Sequence, residues 1–379
     1  MRPRLLLLLA LTLAACLGAG PSEPVMVFKS KETSAHPSIR IPALLHTAKG
    51  TLIAVAEGRD AATDQASNDL VVRLSTNGGE DWTKSAIAIE LGKDCINNPC
   101  LVQEAESGRV FLFYQVMPAG MKEFDGLTPG PTGATKIAYV TSTDEGRNWS
   151  GPVDVTAALK PEIATTTASG PGVGIQLTKG PKAGRLIIPF NSQGPKGSFV
   201  NWVAYSDDAG KTWKRGADVP QPGMQLNEVQ VAETSTGGVY LNSRQWRGSG
   251  GRKASWSTDG GETWSPAIQD KSLPEPVCQG SLISFTDNGR HITLFLNPEG
   301  EPAGEGRKRG VLRMSLDDGK TWAKSAVIVP DYFAYSAMAR MKDGRIAVLY
   351  EPEGHDPKKA GTTEIKLLTV DLAWLEQGK

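Results

Sequence analysis

One eight-residue pattern recurs five times and constrains the fold more than any other feature of the chain. It has the form S-x-D-x-G-x-T-W and reads STNGGEDW at Ser75, STDEGRNW at Ser142, SDDAGKTW at Ser206, STDGGETW at Ser257 and SLDDGKTW at Ser315. Successive copies lie 67, 64, 51 and 58 residues apart. Recurrence on this scale marks one supersecondary unit used repeatedly around a closed array. Within each copy, Asp and Ser side chains can bond to backbone groups of a turn. Gly supplies a positive φ, and Trp is expected to pack back against its own unit. Nothing in this pattern requires catalysis by the Asp.

The segments around the turns read as strands. LVVRLS, IAYVTS, WVAYS and VLRMS precede the repeats, and GRVFLFYQV, GRLIIPF, GGVYLNSR, HITLFL and GRIAVLYE lie between them. They are rich in β-branched and aromatic residues, many follow a Gly turn, and no long helical period competes. The 42 Gly and 25 Pro suit many turns. The expected fold is all-β: a single six-bladed β-propeller over residues 25–379, with a repeat turn in five blades and none in the sixth.

Residues 1–20 read as a targeting segment. Arg2 and Arg4 precede the apolar run Leu5–Ala15, which is too short to span a bilayer. Two endings are open. LAAC at Leu13–Cys16 resembles a lipobox, which would place a lipid anchor on Cys16, and ordinary cleavage would fall near Ala19 or Gly20. Either makes the mature chain an exported protein, periplasmic, at the cell surface or secreted. Lys+Arg and Asp+Glu both number 41, a balance that argues against a nucleic-acid coat or a polybasic membrane patch. Export permits a Cys95–Cys100 disulfide; burial of Cys95, Cys100 and Cys278 as free small apolar residues is equally compatible. With four His and no CxxC pair, a structural zinc site is not expected.

The repeats resemble the Asp boxes of the sialidase (neuraminidase) family, specifically its bacterial members. Asp boxes occur on propellers of several functions, so other motifs carry the resemblance. IRIPALL (Ile39–Leu45) looks like the family's FRIP motif with Ile39 for Phe. AEGR (Ala56–Arg59), NPC (Asn98–Cys100), GPGVGIQL (Gly170–Leu177), NE (Asn227, Glu228), LNSR (Leu241–Arg244), AYS (Ala334–Ser336) and LYE (Leu349–Glu351) follow in the family's order. The resemblance spans roughly Val27 to Leu372. It implies an exo-α-sialidase, a monomer acting on sialylated glycans with no metal or organic cofactor, in a short form without room for a separate lectin domain. A KDN-preferring enzyme, a trans-sialidase and a non-catalytic sialoglycan-binding propeller are the alternatives.

Sialic acid carries a carboxylate on its anomeric carbon, and Arg forks match a carboxylate bidentately. The family uses three such Arg residues, which carry over to Arg40, to Arg244 and, by distance from the fifth box, to Arg307 with Arg309 second; Arg313 is expected to be structural. A carboxylate nucleophile would be repelled by the substrate's own charge, and sialidases use Tyr instead. That residue carries over to Tyr335, with Tyr332 as the nearby control. A phenol needs a base, which carries over to Glu228, and neighbouring Arg charge should favour phenolate. The general acid/base is expected on a mobile loop, where family spacing selects Asp64 over Asp60 and Asp69, both read as turn caps. Glu351 should orient Arg40, and Arg59 should flank the pocket near the sugar's C4 hydroxyl. Val173 stands where many relatives have His, a change expected on the aglycone or glycerol side. Met117, Phe199 and Trp202 are candidates for the N-acyl pocket.

Overall fold

A computed structural model describes residues 19–32, 35–121, 128–246, 250–300, 306–353 and 363–377. Cys16 and the rest of the targeting run up to residue 18 lie outside them. Strands dominate these residues; the α-helices are the short Thr156–Leu159 and Leu372–Glu376.

The strands form antiparallel meanders arranged as a propeller. One sheet orders Leu226–Glu233, Val239–Gln245, Arg252–Ser257 and Ile268–Asp270; the next orders Ser281–Asp287, Arg290–Pro298, Lys308–Ser315 and Lys324–Tyr332. First strands of neighbouring units contact one another: Leu226–Glu233 meets Ser281–Asp287, which meets Ser336–Arg340, which meets Ser38–His46, which meets Cys95–Gln103. The ring is closed by the chain's own ends, because Val25–Lys29 pairs with Glu364–Val370 as the outer strand of the last sheet.

The expectation of six separate blades is corrected. Four sheets have single-blade size, and the remaining meanders form one nine-stranded sheet. The fusion has a local cause: Asn68, at the start of strand Asn68–Ser75, bridges in parallel to Cys95, and the Asn68 and Asn97 side chains meet at 2.6 Å. The possible Cys95–Cys100 disulfide is also absent. All three described cysteines are free and buried. The Cys95 thiol bonds to the Asp64 carbonyl at 3.0 Å, whereas Cys100 packs into an apolar cluster with Phe113, Phe190 and Trp202.

The repeat turns make a constant set of bonds. Ser257 Oγ donates to Asp259 Oδ1 (2.7 Å) and accepts from the Gly261 N–H (2.8 Å); Asp259 accepts from both the N–H and hydroxyl of Thr263. In the first turn Ser75 Oγ donates to Asn77 Oδ1 and accepts from the Gly79 N–H, and Asn77, in place of Asp, accepts from the Asp81 N–H. The turns also pack on the neighbouring unit. Gly261 (φ +91°) sits where a Cβ would lie 2.6 Å from Val203, and Gly79 (φ +93°) where one would lie 2.8 Å from Leu367. The turn Trp follows: Trp264 joins the cluster of Val203, Ile187 and Leu241 between two sheets. Each turn thus staples its sheet to the one before.

Register separates turns from pocket. Ser38 pairs with Arg59 and Arg59 with Asn68 at one end of the first meander, while His46 pairs with Leu52 and Leu52 with Ser75 at the other. At about 3.4 Å per residue, the turn lies some seven residues, roughly 24 Å, from Arg59.

Asp259→Ala should therefore lower stability by about 1–3 kcal/mol, the cost of orphaning turn donors, in a denaturant titration, without changing the pocket. The turn carboxylates also set an acid limit. Hydrogen bonds from Thr212 and Ser206 hold Asp208 down at about 2, and bonds from Asn148 and Ser142 outweigh burial to hold Asp144 there too. A depressed carboxylate adds stability that is fully present above its unfolded pKa, near 4, and is lost as pH falls toward 2. Thermal melts between pH 5 and 2 should show this loss, and Asp208→Asn should reduce its slope.

Candidate active site

A cavity of about 320 Å³ opens at the end of the propeller remote from the turns. Arg40, Arg59, Asp64, Glu228, Arg244, Arg307 and Tyr335 all line it. They come from strands Ser38–His46, Leu52–Arg59, Leu226–Glu233 and Val239–Gln245, the start of Lys308–Ser315, the 60–67 loop and the turn before Ser336–Arg340. Glu351 lies just behind, 1% exposed.

Tyr335 is the centre. Its hydroxyl donates to Glu228 Oε1 and accepts from Arg244 Nη1 at 3.2 Å; the same Nη1 donates to Glu228 Oε2 at 2.6 Å. The Arg40 and Arg307 guanidinium carbons lie 5.0 and 5.3 Å from the ring centroid. Burial, reinforced by the Glu228 charge, pushes the phenol well above 10, against the pull of Arg244, Arg307 and Arg40. The Arg charges act in the expected direction, toward phenolate, but burial outweighs them. The proton stays on Tyr335, with Glu228 placed to receive it.

Buried carboxylates fix the cations. Glu351 takes Arg40 bidentately, at 3.2 Å to Nε and 3.1 Å to Nη2, and accepts the Ile41 N–H at 2.9 Å. Coulombic attraction from Glu351, then Tyr335 and Asp64, outweighs burial and raises the Arg40 pKa; Arg244 is raised likewise through Glu228. Glu57 accepts from Arg59 Nε at 2.8 Å and from the Asn98 N–H at 2.7 Å. Arg59 Nη1 donates to Asp64 Oδ1 at 2.7 Å, and Arg40 Nη1 lies 3.8 Å from the same oxygen. Asp64 is the open member of the set, its side chain 63% exposed.

The remaining candidates separate cleanly. Arg307 lines the pocket and donates to the Val277 carbonyl at 3.0 Å, whereas Arg309 is turned outward to Glu299 at 3.3 Å. Arg313 is buried against Asn297 and Glu299, as expected of a structural residue. Tyr332 borders an adjoining depression with Thr63, Asp64 and Arg307. Asp69 is not a turn cap; its carboxylate pairs with His36 at 2.9 Å. Val173 is buried in a short strand beside Cys100–Leu101, so its replacement of His does not touch the pocket wall. Of the N-acyl candidates, Met117 lines the cavity. Trp202 is fully buried, stacked on Phe190 at 4.6 Å, and Phe199 stacks on Trp246. Sequence reasoning missed Trp246 and the amides of Asn97, Gln115 and Asn191, and gave no role to Asn98 and Asn227 of the NPC and NE motifs; all are on the wall. It also missed Glu57, although AEGR pointed at its neighbour. Among the described residues no group of three or more His, Cys, Asp or Glu side chains is placed to hold a metal ion.

The propeller thus carries a pocket in which the Tyr335 phenol lies among the guanidinium groups of Arg40, Arg244 and Arg307. Residues 50–348 match the family described as BNR repeat-like domain. The chain is 35% identical over 356 residues to a sialidase of Micromonospora viridifaciens, covering 89% of this chain and 52% of that protein. It therefore spans about half the length of that relative. It is 30% identical to Sialidase-2 of Rattus norvegicus, covering 81% of this chain and 86% of the relative. The intramolecular trans-sialidase of Ruminococcus gnavus, solved with oseltamivir carboxylate, superposes with a TM-score of 0.81 at 22% identity, over 96% of this chain and 99% of that one. The chain belongs to the sialidase family, of the bacterial type.

The pair Glu57–Arg59 gives a stability prediction. Glu57→Gln should leave Arg59 buried with only Asp64 as a charged partner and cost about 3 kcal/mol, read by chemical denaturation. Asp64→Asn, at an exposed position, should cost well under about 1 kcal/mol.

Proposed function

We propose that the protein is an exo-α-sialidase that hydrolyses terminal α-linked sialic acid with retention. The observation that carries this reading is the Tyr335 hydroxyl held between the Glu228 carboxylate and Arg244, with Arg40 and Arg307 over its ring. Arg40, Arg244 and Arg307 hold the substrate carboxylate, and a neutral phenol is a nucleophile that this charge does not repel. Tyr335 Oη attacks the anomeric carbon as its proton passes to Glu228. Asp64 delivers a proton to the departing glycosidic oxygen, which leaves as an alcohol. Water then attacks the same carbon with its proton going to Asp64, and Tyr335 leaves, recovering its proton from Glu228. Two displacements at one carbon give overall retention. Exposure of Asp64 suits a group that must exchange protons with solvent and meet a varied leaving group. Arg2, Arg4 and the Leu5–Ala15 run support export of the enzyme to act on external sialylated glycans.

Tyr335→Phe should reduce kcat on an aryl sialoside by on the order of 10³-fold. Asp64→Asn should lose about 10²–10⁴-fold on a sialyl-lactose substrate but far less on a p-nitrophenyl sialoside, whose leaving group departs without a proton. Full activity in Tyr335→Phe would refute the nucleophile. Wild-type binding of sialic acid without turnover would point to a sialoglycan-binding propeller. Sialyl-lactose formed when free lactose is added to the aryl sialoside assay would identify a transferase.

A further inference from the structure

Three of the four pocket guanidinium groups have a buried carboxylate of their own: Arg40 has Glu351, Arg59 has Glu57 and Arg244 has Glu228. Arg307 has none among the described residues. It faces repulsion from Arg244 and Arg40, and its hydrogen bond goes to a neutral acceptor, the carbonyl of Val277. The placement of that carbonyl therefore sets the third corner of the anion site.

Val277 is an unusual residue to find there. Its φ is +54°, a left-handed conformation that a β-branched side chain strongly disfavours. Such a conformation persists only where its surroundings enforce it. The enforcement comes from a carboxylate outside the pocket. Glu275 accepts the Cys278 N–H at 3.0 Å on Oε1 and Arg252 Nη1 at 2.9 Å on Oε2. Arg252 Nη1 also donates to the Cys278 carbonyl at 2.7 Å, and its Nε is fixed on Asn242 Oδ1 at 2.7 Å. Glu275 and Arg252 are 1% and 0% exposed.

The same device occurs twice more. Glu351 joins Arg40 to the N–H of Ile41 (φ +55°), and Glu57 joins Arg59 to the N–H of Asn98 (φ +56°). In each, a buried Glu couples an Arg to a left-handed backbone step at the pocket end of the propeller. In those two the clamped Arg itself enters the pocket. In the third the clamped Arg252 stays in the interior, and the pocket cation is supplied by Arg307 hanging from the clamped turn.

We infer that the Glu275–Arg252 pair positions Arg307, through the Val277 carbonyl, for binding the substrate's carboxylate. Both are positioning residues, since neither reaches the pocket. The inference rests on the sialidase reading for its ligand, but not for its geometry.

A double-mutant cycle tests it. Glu275→Gln, verified as folded by its thermal melt, should raise KM on an aryl sialoside and lower kcat/KM by roughly five- to fifty-fold. In an Arg307→Ala background the same change should cost less than about twofold, because the group it positions is gone. A residue that only stabilises the fold would cost the same factor in both backgrounds, and that result would overturn the proposal. Arg252→Lys serves in the same cycle if Glu275→Gln does not fold. A crystal structure of Glu275→Gln separates this idea from the activity itself. Loss of the Arg307–Val277 contact, with Arg40–Glu351 and Arg244–Glu228 retained, supports positioning even if the wild type proves inactive on sialosides; an unmoved Arg307 refutes it.

Discussion

Repulsion among cations is the constraint around which the pocket is built. Arg40, Arg59, Arg244 and Arg307 line one small cavity, and like charges a few ångströms apart cost several kcal/mol in a protein interior. Their coexistence depends on Glu351, Glu57 and Glu228, each placed on or beside a strand next to its partner and mostly removed from solvent. Removing water makes each ion pair strong and each unpaired charge expensive. Three of the four guanidinium groups are thus held in position by the protein's own carboxylates.

The propeller supplies this arrangement through its ends. In the first meander the strands run from the pocket to a stapled turn on the far side. The turn residues are rigid because Ser, Asp and Thr bond to one another and to the backbone, and because Gly lets each turn press on the neighbouring sheet. At the pocket end the first strands are interrupted, with register shifts between Arg40 and Ala43, between Asn97 and Cys100 and between Leu226 and Val229. Such bulges re-aim side chains. One end of the molecule is regular for cohesion, and the other is irregular where polar groups must converge.

Legibility in the sequence follows the same division. The turns could be read because their chemistry is local, completed within eight residues, and repeated. Arg40, Arg244 and Tyr335 could be placed because each sits in a short ordered motif. Arg307 could be ranked above Arg309 by distance from a turn; physically, Arg307 enters the pocket while Arg309 (φ +56°) turns out to Glu299. What could not be read is convergence between distant segments. Asn191 and Gln115 look like ordinary strand residues until the ring brings them to one wall. The fused sheet depends on one bridge between Asn68 and Cys95 that no local pattern announces. The pull of the Arg charges on Tyr335 could be read from motifs, whereas the burial that outweighs it could not.

Closure of the ring by Val25–Lys29 against Glu364–Val370 bears on how such a protein loses function. The pocket and the carboxylate behind it draw on residues from Arg40 to Glu351, nearly the whole described chain. A nick or a frayed seam that lets the first and last sheets separate would pull Arg40 away from Glu351 and the Gly79 turn away from Leu367. The ion pair across that seam makes the pocket a gauge of the ring's integrity.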